Sequence, residues 1–135
     1  MMPDPRRLDE AREWLRYAAE DLEVAELLTA VPTPRVKQAL FHAQQAVEKS
    51  LKAFLVFHNH TYPVTHGLNV LLDLCADIDS TLTSTAGPAL WLTQFAVRFR
   101  YPGEEEEPGL EKAQEGVHAA RTVHSSVCKR LLQGG

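Results

Sequence analysis

The chain has 135 residues, enough for one domain that buries roughly two-thirds of its unfolded surface and needs no disulfide or metal staples. Hydrophobic residues make up 44% and charged residues 24%, which excludes a disordered chain, and no run of about 18 apolar residues suggests a membrane span. A net charge of −4 argues against avid, sequence-blind binding to DNA or RNA, while leaving room for a local basic patch.

Asp4-Pro5 reads as an N-cap followed by proline at the first helical position. Leu8, Ala11, Leu15, Ala18, Leu22 and Ala25 then recur in steps of three and four, predicting a helix to about Ala30. Glu10, Arg12, Glu13, Glu20, Asp21, Glu23 and Glu26 cover its other face and read as solvated. In Val31-Pro32-Thr33-Pro34, Thr33 is placed to cap a second helix and Pro34 to open it.

That second helix runs to about His58 and is the central one. Val36, Leu40, Ala43, Val47, Leu51 and Phe54 share its apolar face. Gln38, His42, Gln45, Lys49 and Lys52 fall within an arc of about 80° on the opposite side, predicting a cationic, amide-rich strip toward water. Ala39, Ala46 and Ala53 lie between the two faces, where another helix could approach. Glu48 and Lys52 are spaced to pair across one turn.

His58 to Pro63 reads as a loop, and Thr65 as the cap of a shorter helix with Leu68, Leu71, Leu72, Cys75 and Ile78 inward. Asp79 to Gly87 reads as a Ser/Thr-rich connection. Pro88 to Phe99 is apolar nearly all round, predicting a helix buried on several sides or shared with a second chain. Tyr101-Pro102-Gly103 breaks it. Glu104 to Glu107 then suit the positive end of a last helix opened by Pro108, with Leu110, Ala113, Val117, Ala120, His124, Val127 and Leu131 as its seam. The expectation is a single all-α domain over 1–135, an up-down antiparallel bundle of four to five helices with its core over about 8–132.

Two clusters could carry chemistry. On the second helix, Lys49 and Lys52 could meet a phosphate, Gln38 and Gln45 a base or ribose, and His42 titrates near neutral pH. The plainer reading is an exposed polar face. In the second cluster, Arg98, Arg100 and Tyr101 could clamp a phosphate and stack on a base, or the arginines could pair with Glu104 to Glu107. His58, His60 and His66 lack a nearby Cys or carboxylate to complete a metal site, so no metal and no cofactor is expected. His124 reads as a satisfied core or edge histidine. Cys75 and Cys128 lie in apolar patterns as small hydrophobes, and the charged N-terminus has no apolar h-region, so the protein reads as cytoplasmic.

FHAQQAVEKSLKAFLVFH, followed by THGLNVLLDL and RFRYPGEEEEP and preceded by AREWLRYAAEDLEVAELLTA, resembles the prokaryotic HEPN domain family. The resemblance spans about Leu8 to Leu132. It implies a helical bundle that often dimerises, is associated with nucleotide binding, and works with a minimal nucleotidyltransferase in pairs resembling toxin–antitoxin modules. Many relatives are metal-independent ribonucleases with an arginine, a polar residue and a histidine four to six residues after the arginine, at the head of the last long helix. This sequence departs from that pattern. Tyr101-Pro102-Gly103 and four glutamates follow Arg98 and Arg100, and the next histidine, His118, is too distant. Arg35 and His42 have six residues between them but stand at the start of the second helix, outside the family's catalytic place. The expectation is therefore a non-catalytic binding module, a homodimer contacting a nucleotide or a nucleotidyltransferase partner, with RNA not favoured. The alternative is an RNA endonuclease with an atypical site, and a further outcome is nucleotidylation of Tyr101 by the partner.

Overall fold

The computed structural model describes residues 4–96 and 108–133, which form five α-helices and one 3₁₀ helix. In chain order these are α1 (Pro5–Ala30), α2 (Val36–Phe57), α3 (Leu68–Ile78), α4 (Leu82–Ala86), the 3₁₀ helix (Gly87–Phe95) and α5 (Leu110–Gln133). The chain is an all-α bundle with α2 at its centre, packed on α1, α5, α3 and the 3₁₀ helix. Arg98, Arg100, Tyr101 and Glu104 to Glu107 lie outside the described residues.

Helix α1 starts where the sequence predicts. The Asp4 carboxylate accepts from the Arg6 amide at 2.8 Å, and Pro5 occupies the first turn. Its alanines Ala11, Ala18 and Ala25 recur every seven residues and are fully buried. Ala39, Ala46 and Ala53 of α2 have the same spacing and are also fully buried. Two rows without bulky side chains let helix axes come close, and α1–α2 is the largest interface of the bundle. The pair is antiparallel: Lys52, late in α2, lies against Trp14, early in α1, while Asp21 reaches His42 and Lys49.

Helix α2 starts two residues later than predicted. The Arg35 amide donates to Leu28 O of α1 at 3.0 Å, which ties the link back and leaves Arg35, not Thr33, as the N-cap. Fourteen of the 22 residues of α2 are buried, among them Leu40, Val47, Leu51 and Phe54 of the predicted apolar face. The helix ends in a Schellman turn: the His60 amide donates to Leu55 O at 2.8 Å and the Asn59 amide to Val56 O at 3.0 Å. Asn59 has φ 58°, a left-handed conformation that asparagine accepts more readily than most residues.

The C-terminal half differs most from expectation. Helix α3 begins at Leu68 with Gly67 as its cap; Thr65 accepts from the Gly67 amide, and Leu68 N–H is taken by Thr93 Oγ1 at 3.2 Å. Ile78, predicted inward, is exposed. The Ser/Thr-rich connection contains α4, and the helix predicted over Pro88 to Phe99 is a 3₁₀ helix over Gly87–Phe95. Its buried residues Ala89, Leu92 and Phe95 explain this, because a spacing of three is the period that stacks side chains along a 3₁₀ helix. Helix α5 begins at Leu110 rather than Pro108, and Ala113, Val117, Ala120, Val127 and Leu131 of its predicted seam are buried. A Cβ on Gly116 would lie 2.6 Å from Leu40 Cδ2, 3.1 Å from Leu92 Cδ2 and 3.2 Å from Trp91 Cη2. Glycine is what allows α5 to close on α2 and the 3₁₀ helix.

Candidate functional site

From His42 onward the polar strip of α2 does not face open water. Helix α1 docks on the alanine row beside the strip, and residues flanking the α1 alanines reach over it. Asp21, read from sequence as solvated, is buried: Oδ1 accepts from His42 Nδ1–H at 2.8 Å and Oδ2 from Lys49 Nζ at 2.6 Å. The His42 and Lys49 side chains are 22% and 24% exposed, so both reach solvent only at their edges.

Beside Lys49 on α2 a second carboxylate is enclosed. Glu48 accepts from Lys52 Nζ at 2.9 Å, His66 Nδ1–H at 2.9 Å and Gln44 Nε2 at 3.2 Å. Gln44 also donates to His66 O, and Gln45 Nε2 donates to Gln44 Oε1 at 2.7 Å. Burial alone would raise the Glu48 pKa. The bonds from His66, Lys52 and Gln44 outweigh that, and its carboxyl sits below the ordinary glutamate range. Lys52 lies 5.6 Å from the Trp14 ring centre and 5.4 Å from that of Tyr62, and the two rings meet edge to face. The Glu48–Lys52 pair, expected as a surface pair, is therefore enclosed. His66, through the same bond to Glu48, pins the α2–α3 loop to α2.

The predicted residues thus divide into separate environments. His42 and Lys49 share Asp21, while Gln45 and Lys52 belong to the Glu48 network, and the cations of both already have partners. Gln38 stands apart and exposed at the first turn of α2, in a cleft of about 230 Å³ with Arg35, Lys37 and Pro108. Among the described residues no buried side-chain nitrogen or oxygen lacks a hydrogen-bond partner. Asp21 fixes the orientation of the His42 ring through Nδ1–H. Among the described residues no hydroxyl or thiol bonds His42.

Sequence reasoning missed a second surface. His118, Arg121, Thr122, Ser125, Lys129 and Arg130 of α5 line a shallow groove of about 360 Å³. Arg130 is held by Asp79, Thr81 and Ser126, and Arg121 pairs with Glu26 of α1. The available signal was the absence of any Asp or Glu from α5 after Glu115. His124 behaves as predicted: Nε2–H donates to Leu15 O of α1 at 3.0 Å.

The HEPN domain model matches residues 11–131, and the chain belongs to that family. Two crystal structures share the fold: ST0689, an archaeal HEPN homologue, at 22% identity, and TT1696 from Thermus thermophilus, at 25% identity. Each aligns with a TM-score of 0.69 over 90% of this chain and 98% of the other. No curated protein matches the sequence. No helix among the described residues is long and apolar enough to cross a membrane.

Proposed function

We propose that this HEPN domain is a non-catalytic binding module of the cytoplasm, a homodimer that binds a nucleotide and serves a minimal nucleotidyltransferase in a toxin–antitoxin-like pair. The observation that carries the nucleotide half is the α5 groove, lined by cations, imidazole and hydroxyl groups with no carboxylate among its lining residues. Phosphate oxygens accept from such a set, and arginines already oriented by Glu26 and Asp79 lose less side-chain freedom on binding. The strip on α2 and the segment with Arg98, Arg100 and Tyr101 are the second and third contact surfaces of this reading. Family membership supports the partner half.

Calorimetry with ATP, GTP and their analogues tests it. Saturable heat is expected for the wild type, weakened about ten-fold or more in Arg121→Ala/Lys129→Ala. The double variant Lys49→Ala/Arg100→Ala reports on the other two surfaces. No heat in the wild type removes the nucleotide half. Metal-independent cleavage of RNA that vanishes in Arg100→Ala would replace this reading with the endonuclease one. Failure to co-purify with a co-expressed minimal nucleotidyltransferase would remove the partner half.

A further inference from the structure

A separate surface lies on α1, away from the α5 groove. Glu10, Glu13, Trp14 and Tyr17 are spaced three, four and seven residues along one face of α1, and Tyr62 from the α2–α3 loop closes the other side. Together they line an open cleft of about 270 Å³, large enough for one side chain. Every lining residue is an aromatic ring or a glutamate. Ring faces and carboxylates together attract a cation with an apolar skirt.

The chain already places its own cations against these rings. Lys52 approaches Trp14 and Tyr62 at 5.6 and 5.4 Å. Arg16 lies 4.8 Å from the centre of the Tyr17 ring while donating twice to Glu13, at 2.9 and 2.8 Å. Lys52 is neutralised by Glu48 and enclosed, whereas the Arg16 side chain is 55% exposed, tied only to residues of its own helix, and can swing away. Beyond the cleft the exposed face of α1 continues with Glu20, Glu23 and Val24, so residues flanking a bound side chain have an acidic, partly apolar surface to lie on.

We infer that the Trp14–Tyr17–Tyr62 cleft, with Glu10 and Glu13 on its rim, binds an arginine side chain of a basic partner polypeptide, which displaces Arg16 from Tyr17 and Glu13. The guanidinium stacks on a ring and pairs with the Glu13 carboxylate in the geometry Arg16 now shows. This surface is independent of the nucleotide reading and stands if that reading fails.

NMR titration of the full chain with acetyl-Gly-Arg-Gly-amide tests it, read at the Trp14 indole N–H with Trp91 as an internal control. The expected result is a saturable shift at Trp14 alone, half-complete on the order of millimolar. The citrulline peptide, with the same shape and no charge, leaves it unmoved. Glu10→Gln/Glu13→Gln weakens binding by about five-fold or more, and Arg16→Ala tightens it by about three-fold. Arg12→Ala, on the same helix but away from the cleft, leaves it unchanged. A shift that does not saturate, an equal response to citrulline, or equal tightening in Arg12→Ala and Arg16→Ala would each overturn the proposal, the last because it reports only diffuse charge.

Discussion

Asp21 and Glu48 show how one buried carboxylate can organise several side chains. Removing Asp21 leaves Lys49 and His42 without their acceptor in a place where water reaches only their edges. Breaking a buried pair by deleting one partner is far more costly than deleting a surface one. Asp21→Asn is expected to lower stability by about 2–3 kcal/mol in urea denaturation, since the site keeps some solvent. Glu20→Gln, which breaks only the exposed contact with Arg16, is expected to change it by less than about 0.5 kcal/mol. Glu48 adds a pH dependence. Its folded pKa is depressed, so its stabilisation is present above the unfolded value and is lost as pH falls through the folded one. Unfolding midpoints measured from pH 6 downward should fall below about pH 4.3, and Glu48→Gln should flatten that limb.

At the scale of elements, the sequence was most readable where one signal had one meaning. The Asp4-Pro5 start of α1, the apolar face of α2 and the α5 seam each rest on periodicity or capping within a single helix. Asp21 was misread because its partners lie 21 and 28 residues away, and a lone carboxylate on a helix ordinarily faces water. A hint was present: Trp14 and Asp21 are seven residues apart, flanking the alanine row. The 3₁₀ helix was misread because nine residues is long for that form and its apolar content suits an α-helix equally. Gly116 carried no readable signal, since its role depends on what α2 and the 3₁₀ helix bring against it. Gly116→Ala gains about 1 kcal/mol in helix propensity but drives a methyl into Leu40 and Leu92, an overpacking cost of about 1–3 kcal/mol. A net loss near 1 kcal/mol is expected by denaturant titration. A stabilised variant would show that Leu40 can give way.

For the whole molecule, α2 is the element the others share. It touches every other helix except α4 and contributes Leu51 and Phe54 to the centre of the core. Amides of its middle turns should exchange with solvent only on global unfolding, while those of α4 and the first turn of α1 exchange sooner, as hydrogen-exchange mass spectrometry would show. Protection highest in α5 instead would move the centre of stability. The same fold recurs in two solved structures at 22% and 25% identity. The candidate site was legible in residue type but not in environment, because helix-wheel geometry does not say how far a neighbouring helix overhangs.

The turn at Asn59 bears on the order in which these pieces come together. Both of its main-chain bonds join residues at most five apart in sequence, so it can form while everything downstream is still on the ribosome. The reversal that aims His66 back toward Glu48 then precedes the arrival of α5. On that view the last helix closes over a half-molecule already bent into shape.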